Sequence, residues 1–136
     1  MVKKKPKIIL KTGKRKKAVA RAFAKPGKGN VYINTKSLET FPEIPKLMIK
    51  EPLIIGEKVA KKLDINVNVN GGGIIGQASA ARQAIAKILV EKDKTLKEKF
   101  LNYDRSLLIA DVRRTEPHKP SRSKAGPRRH KQRSKR

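Results

Sequence analysis

At 136 residues, with 36 Lys or Arg against 11 Asp or Glu, the chain has a formal charge of +25 and room for one modest domain. It contains no cysteine, which excludes disulfides, thiolate metal sites and thiol nucleophiles together. No apolar run approaches the length of a membrane span and no signal-peptide core follows the N-terminal lysines, so a soluble, cytosolic protein is expected.

Residues 1–7 form a basic lead-in. Ile8, Ile9 and Leu10 then give a short apolar run that predicts a first strand. In Thr12-Gly13-Lys14-Arg15-Lys16-Lys17 four cations surround a glycine, either as a solvated hairpin turn or as a phosphate-contacting loop. From Ala18 to Ala24 the pattern alternates strictly, with alanines on one side and Val19, Arg21 and Phe23 on the other, which is strand periodicity. Pro26-Gly27-Lys28-Gly29-Asn30 reads as a turn, and Val31 to Asn34 as the return strand of an antiparallel hairpin.

Prolines at 42, 45 and 52 punctuate short helical pieces, and a longer helix is expected from Pro52 through Leu63. Ile65, Val67 and Val69 alternate with Asn66, Asn68 and Asn70, predicting another strand. Gly71-Gly72-Gly73-Ile74-Ile75-Gly76 matches G-x-G-x-x-G between that strand and a helix. A dinucleotide site also needs a second parallel strand ending in an acid about twenty residues on, and here the helix simply continues. Two readings of the glycines stay open: close packing of strand on helix, or a helix N-terminus whose amides and positive dipole end hold an RNA phosphate. In the helix itself Ile74, Ala78, Ala81, Ile85, Ile88 and Leu89 mark the core side. Gln77, Arg82, Gln83 and Lys87 mark the wetter side, with Arg82 a solvated charge or an RNA contact. Thr95 is expected to cap a second helix over 96–102, and Leu107, Leu108 and Ile109 to anchor the end of the body.

Residues 113–136 carry eleven basic residues and one acid, while residues 8–112 form the expected globular body and residues 29–112 hold thirteen basic and ten acidic residues. With Ala125 its only apolar side chain beyond proline, and broken by Pro117, Pro120 and Pro127, the final stretch is expected to be an arm that needs a polyanion to order it. Arg113, Arg114, Lys119, Arg122, Lys124, Arg128, Arg129, Lys131 and Arg133 are candidate phosphate contacts there. So are Lys14, Arg15, Lys16, Lys17, Arg21, Arg82 and the amides of Gly71, Gly72 and Gly73 in the body. His118 and His130 lie in the arm, where no packing holds them as metal ligands or catalytic bases, so neither enzyme nor cofactor is expected. The five aromatics, Phe23, Tyr32, Phe41, Phe100 and Tyr103, are scattered and mostly at core-like positions, which favours phosphate and shape recognition over base reading. A DNA-compacting protein is the alternative of the same charge type, although nothing reads as a helix-turn-helix.

Three motifs resemble the family of small-subunit ribosomal protein nine, in its archaeal-type branch. They are Gly13-Lys14-Arg15-Lys16-Lys17-Ala18-Val19-Ala20-Arg21, the run GGGIIGQASAARQAI over 71–85, and Arg113-Arg114-Thr115-Glu116-Pro117-His118-Lys119-Pro120 with the final Ser134-Lys135-Arg136. The resemblance implies an α/β fold, a mostly antiparallel sheet backed by helices, like the second domain of small-subunit ribosomal protein five. It implies a place in the head of the small ribosomal subunit, with ribosomal RNA and neighbouring head proteins as partners and neither a membrane nor a small-molecule substrate. It also implies that the arm threads through RNA along Arg128, Arg129, Lys131 and Arg133. The end of that arm, Ser134, Lys135 and Arg136, would touch the anticodon stem-loop of peptidyl-site tRNA. The chain departs from the archaeal pattern at Val112, where proline is expected, and at Lys135, where tyrosine is frequent, so the resemblance implies an ionic rather than a stacking contact there.

Overall fold

The computed structural model describes residues 5–115 and Pro117. Strands β1 (Ile9–Arg15) and β2 (Ala18–Pro26) form a hairpin closed by Lys16 and Lys17, and β3 (Val31–Ile33) and β4 (Lys36–Ser37) follow. After a 3-10 turn at Leu38–Thr40 come α1 (Glu43–Ile55), α2 (Glu57–Ala60), β5 (Leu63–Asn70), α3 (Ile74–Lys92) and α4 (Leu96–Tyr103). A last 3-10 turn at Arg105–Leu107 ends the body. The sheet order is β1-β2-β5-β3-β4, antiparallel at every pairing except the parallel β3–β5. This is the expected mostly antiparallel sheet backed by helices.

The strand alternation is realised as read. Ala18, Ala20, Ala22 and Ala24 are at most 1% exposed, and Leu63, Ile65, Val67 and Val69 continue the same inward face. Small side chains on β2 let α3 lie close, and at β1 the approach is closer still. A Cβ on Gly13 would stand 2.1 Å from the Ala80 carbonyl oxygen and 2.8 Å from the Ala84 nitrogen. α3 is therefore packed against the sheet on one side and α1 on the other, and Ala80, Ala81, Ala84, Ile85, Ile88 and Leu89 are fully buried. The second helical layer is completed by Phe100 of α4 and by Leu107, both fully buried.

Several local expectations are corrected. β2 and β3 are not paired: β5 lies between them. The Pro26–Asn30 segment opens because its amides turn to β5, with Lys28 and Asn30 donating to Asp64 Oδ1 at 2.9 and 3.1 Å. Residues 12–15 belong to a strand rather than a loop, so only Lys16 and Lys17 form the turn. α1 runs through Pro45 and Pro52 and breaks at Gly56. Pro45 falls in the first turn, where its missing N–H has no acceptor to lose. The helix expected from Pro52 through Leu63 is interrupted and shorter: Pro52–Ile55 end α1, Glu57–Ala60 form α2, and Leu63 already belongs to β5. Thr95 holds the N-cap position of α4 as expected, but its hydroxyl makes no cap bond to the helix and donates instead to Asp93 Oδ1 at 2.7 Å, which also accepts the Thr95 amide at 3.0 Å. Of the apolar anchor only Leu107 is fully buried, and Ile109 is 45% exposed. No helix of the described residues is long and apolar enough to cross a membrane.

Candidate nucleic-acid interface

The N-terminus of α3, the β1–β2 turn and the root of the arm meet at one end of the sheet. Gly71 and Gly72 make the connection from β5, with φ of +79° and +67°. A Cβ on Gly71 would fall 2.6 Å from the Lys17 carbonyl oxygen, so the glycine run is first a device for tight packing against the hairpin turn. That packing places Lys16 and Lys17 beside the start of α3. A shallow hollow there is lined by Arg15, Lys16, Lys17, Gly72, Gly73, Ile74, Ile75, Gly76 and Thr115. The first amide of α3 to find a helical acceptor is that of Gln77, which donates to the Gly73 carbonyl at 2.9 Å. The amides of Ile74, Ile75 and Gly76 precede it, at the positive end of the helix dipole and beside two lysines. The close-packing reading of the glycine run is realised, and the same run leaves the first amides of α3 without helical acceptors. Ile74, expected in the core, is 66% exposed at the mouth of this hollow.

The arm leaves from the same corner. Asp111 Oδ2 receives Arg15 at 2.8 Å and Arg113 at 2.6 Å, and its Oδ1 accepts the Arg113 amide at 2.9 Å. These contacts, those of Arg113 foremost, hold the Asp111 carboxyl well below the usual carboxylate range. Arg114 donates to the Lys16 carbonyl at 3.3 Å, tying the root of the arm to the hairpin turn. Lys14 and Arg21 are exposed on the sheet face that the helices leave uncovered.

The expected contact residues therefore divide. Lys14, Lys16, Lys17, Arg21, Gly71, Gly72, Gly73, Arg113 and Arg114 reach one end of the body and its open face. Arg15 spends its guanidinium on Asp111. Arg82, read as a solvated charge or an RNA contact, is not a solvated charge: its side chain is 15% exposed and its Nη2 lies 2.5 Å from Glu51 and 2.9 Å from Asp104. It bolts α1 and α3 to the segment after α4. Burial raises the Asp104 carboxyl, but hydrogen bonds from Ser106 and Arg82 outweigh it and bring the group below its ordinary value. Gln83, placed on the wet side from sequence, is 3% exposed, and its Oε1 accepts the Lys14 amide at 2.8 Å. Lys119, Arg122, Lys124, Arg128, Arg129, Lys131, Arg133, Ser134, Lys135 and Arg136 lie outside the described residues.

Substituting Arg82 by alanine should strand two partly buried carboxylates. Removing one partner of a buried pair costs about 3–5 kcal/mol, and the exposure of Glu51 and Asp104 reduces this to about 2 kcal/mol. Urea unfolding should show that loss, and RNA affinity of the folded variant should be unchanged.

The family model described as Ribosomal protein S9/S16 matches residues 13–136. The chain is 47% identical over 131 residues to the small ribosomal subunit protein uS9 of Methanococcus maripaludis strain C7, an alignment covering 94% of this chain and 98% of that protein. It is 46% identical over 131 residues, with the same coverage, to the protein of that name from Methanococcus vannielii.

Proposed function

The chain belongs to the ribosomal protein S9/S16 family, and from that premise we propose that its body docks on ribosomal RNA in the small-subunit head while its arm reaches peptidyl-site tRNA. It is a structural component of the small ribosomal subunit, not an enzyme. In the proposal, residues 8–112 are the docking body, residues 1–7 and 113–136 order along phosphates, and neighbouring head proteins flank the body. The cytoplasm is its place of work.

One observation carries the reading. The hairpin lysines, the first amides of α3 and the root of a strongly cationic arm share one corner, so a single stretch of RNA backbone at that corner meets all three. Lys16 and Lys17 supply point charges, the amides of Ile74 to Gly76 supply directed donors, and Arg113 and Arg114 begin the path of the arm. Neutralising phosphates releases counterions, a gain independent of base sequence. Ser134, Lys135 and Arg136 would end on the anticodon stem-loop and grip the backbone that all tRNAs share.

Deleting Ser134 to Arg136 tests the tail. Particles carrying the shortened chain should sediment as small subunits in normal yield but release peptidyl-site tRNA faster in filter-binding assays. Equal tRNA retention by both particles would remove the tail role and leave ribosomal RNA docking intact. Absence of the full chain from the small-subunit peak would remove the docking as well.

A further inference from the structure

The helices cover one face of the sheet, and the opposite face carries an ordered set of side chains that the docking corner does not use. The register aligns Leu10, Phe23, Asn66, Tyr32 and Ser37 in one row across β1, β2, β5, β3 and β4. Expected from sequence at core-like positions, Phe23 and Tyr32 are 37% and 40% exposed, and Leu10 is 52% exposed. Adjacent strands lie about 4.8 Å apart, so the two rings are rooted about 10 Å from one another with the Asn66 amide between them. The next row is Thr12, Arg21 and Asn68, and the one beyond it Lys14, Val19 and Asn70.

We propose that this open face binds unpaired RNA nucleotides, one base stacked on Phe23 and one on Tyr32. In this arrangement the Asn66 and Asn68 amides meet base edges, and Arg21 and Lys14 meet the connecting phosphates. The inference rests on the RNA-binding reading and adds a second surface of different chemistry to it. Charge complementarity selects this occupant. Among the described residues the one carboxylate on the face is Asp64, and its Oδ1 is already engaged by the Lys28 and Asn30 amides. A protein partner would need a broad apolar patch. This face offers two rings, a leucine and the half-buried Val19, dispersed among amides, hydroxyls and cations, and an asparagine amide both donates and accepts, as a base edge requires. A sheet presenting aromatics to splayed bases is an effective way to hold single-stranded RNA, because every base has a π-face.

The full chain can be titrated at one fixed salt with a short oligouridylate and with an abasic oligomer of equal phosphate count. The wild-type chain should bind the oligouridylate about tenfold or more tightly than the abasic strand. The double variant Phe23→Leu, Tyr32→Leu should lose that preference while keeping its affinity for the abasic strand, and Tyr32→Phe should retain it. Because the chain has two tyrosines and no tryptophan, a Tyr103→Phe variant makes Tyr32 the only tyrosine reporter, and oligouridylate alone should quench its emission. A wild-type chain without preference, or a preference that survives loss of both rings, would overturn the assignment, as it would if the face docks a protein instead. Failure to bind either strand or any structured RNA would strike the RNA-binding reading on which it rests.

Discussion

Gly13→Ala should lower stability by about 3 kcal/mol, the upper end of what overpacking costs. The added methyl meets Ala80 and Ala84 through backbone atoms, at 2.1 and 2.8 Å, so no rotamer change relieves it and β1 must move off α3. That movement also strains the bond from the Lys14 amide to Gln83, whose buried amide has no water to turn to. For a body of roughly a hundred residues the expected fall in melting temperature is about 10–20 °C. Gly73→Ala is the matched control. Nothing lies within 4 Å of the position a Cβ would take there, so its cost should not exceed about 1 kcal/mol. Calorimetry on the two variants reads both numbers. Equal melting temperatures would mean that the β1–α3 contact is looser than described.

The second large effect is electrostatic. Raising salt from about 50 to about 200 mM should weaken binding of the full chain to structured RNA by about a thousandfold or more, if six to ten phosphates are contacted. Deleting residues 118–136 removes nine basic residues and no acid. If about half of those nine engage phosphates, the slope of log affinity against log salt should fall by about four. Over the same fourfold rise in salt the shortened chain then loses several hundredfold less affinity. Lys16→Gln with Lys17→Gln should reduce the slope by at most about two. Anisotropy titrations across a salt series separate these contributions, and an unchanged slope after arm deletion would show that the body alone carries the phosphate contacts.

What the sequence disclosed was whatever a local period encodes. Alternation fixed the inward alanines of β2 and the inward Ile65, Val67 and Val69 of β5, though not Leu63, and three-four spacing fixed Ala78, Ala81, Ile85, Ile88 and Leu89 as core. Partners far along the chain were not legible. β5 enters between β2 and β3 because Asp64 turns the preceding loop toward itself, an interaction 36 residues long in sequence. Arg82 was misjudged because Asp104 lies 22 residues away and Glu51 on a different helix, so a periodic reading sees only a charge on the wet side. Gln83 was misjudged because α3 is buried on two sides, which a single apolar stripe does not describe. The corner that joins Lys16, Lys17 and the start of α3 was legible only as separate motifs. Gly71 gives the reason they meet, since only a residue without a side chain tolerates the Lys17 carbonyl at that distance.

The ties from Asp111 to Arg15 and from Arg114 to the Lys16 carbonyl bear on the order of events in assembly. In the proposed docking, the arm would start from a fixed point against the same RNA once the body has landed, and its engagement would become an intramolecular step. A short tether gives such a step an effective concentration in the millimolar range, so many weak ionic contacts can form in sequence without a fresh encounter from solution. On the proposed reading, landing would be the concentration-dependent event, and threading would follow it at a rate indifferent to how much protein the cell contains.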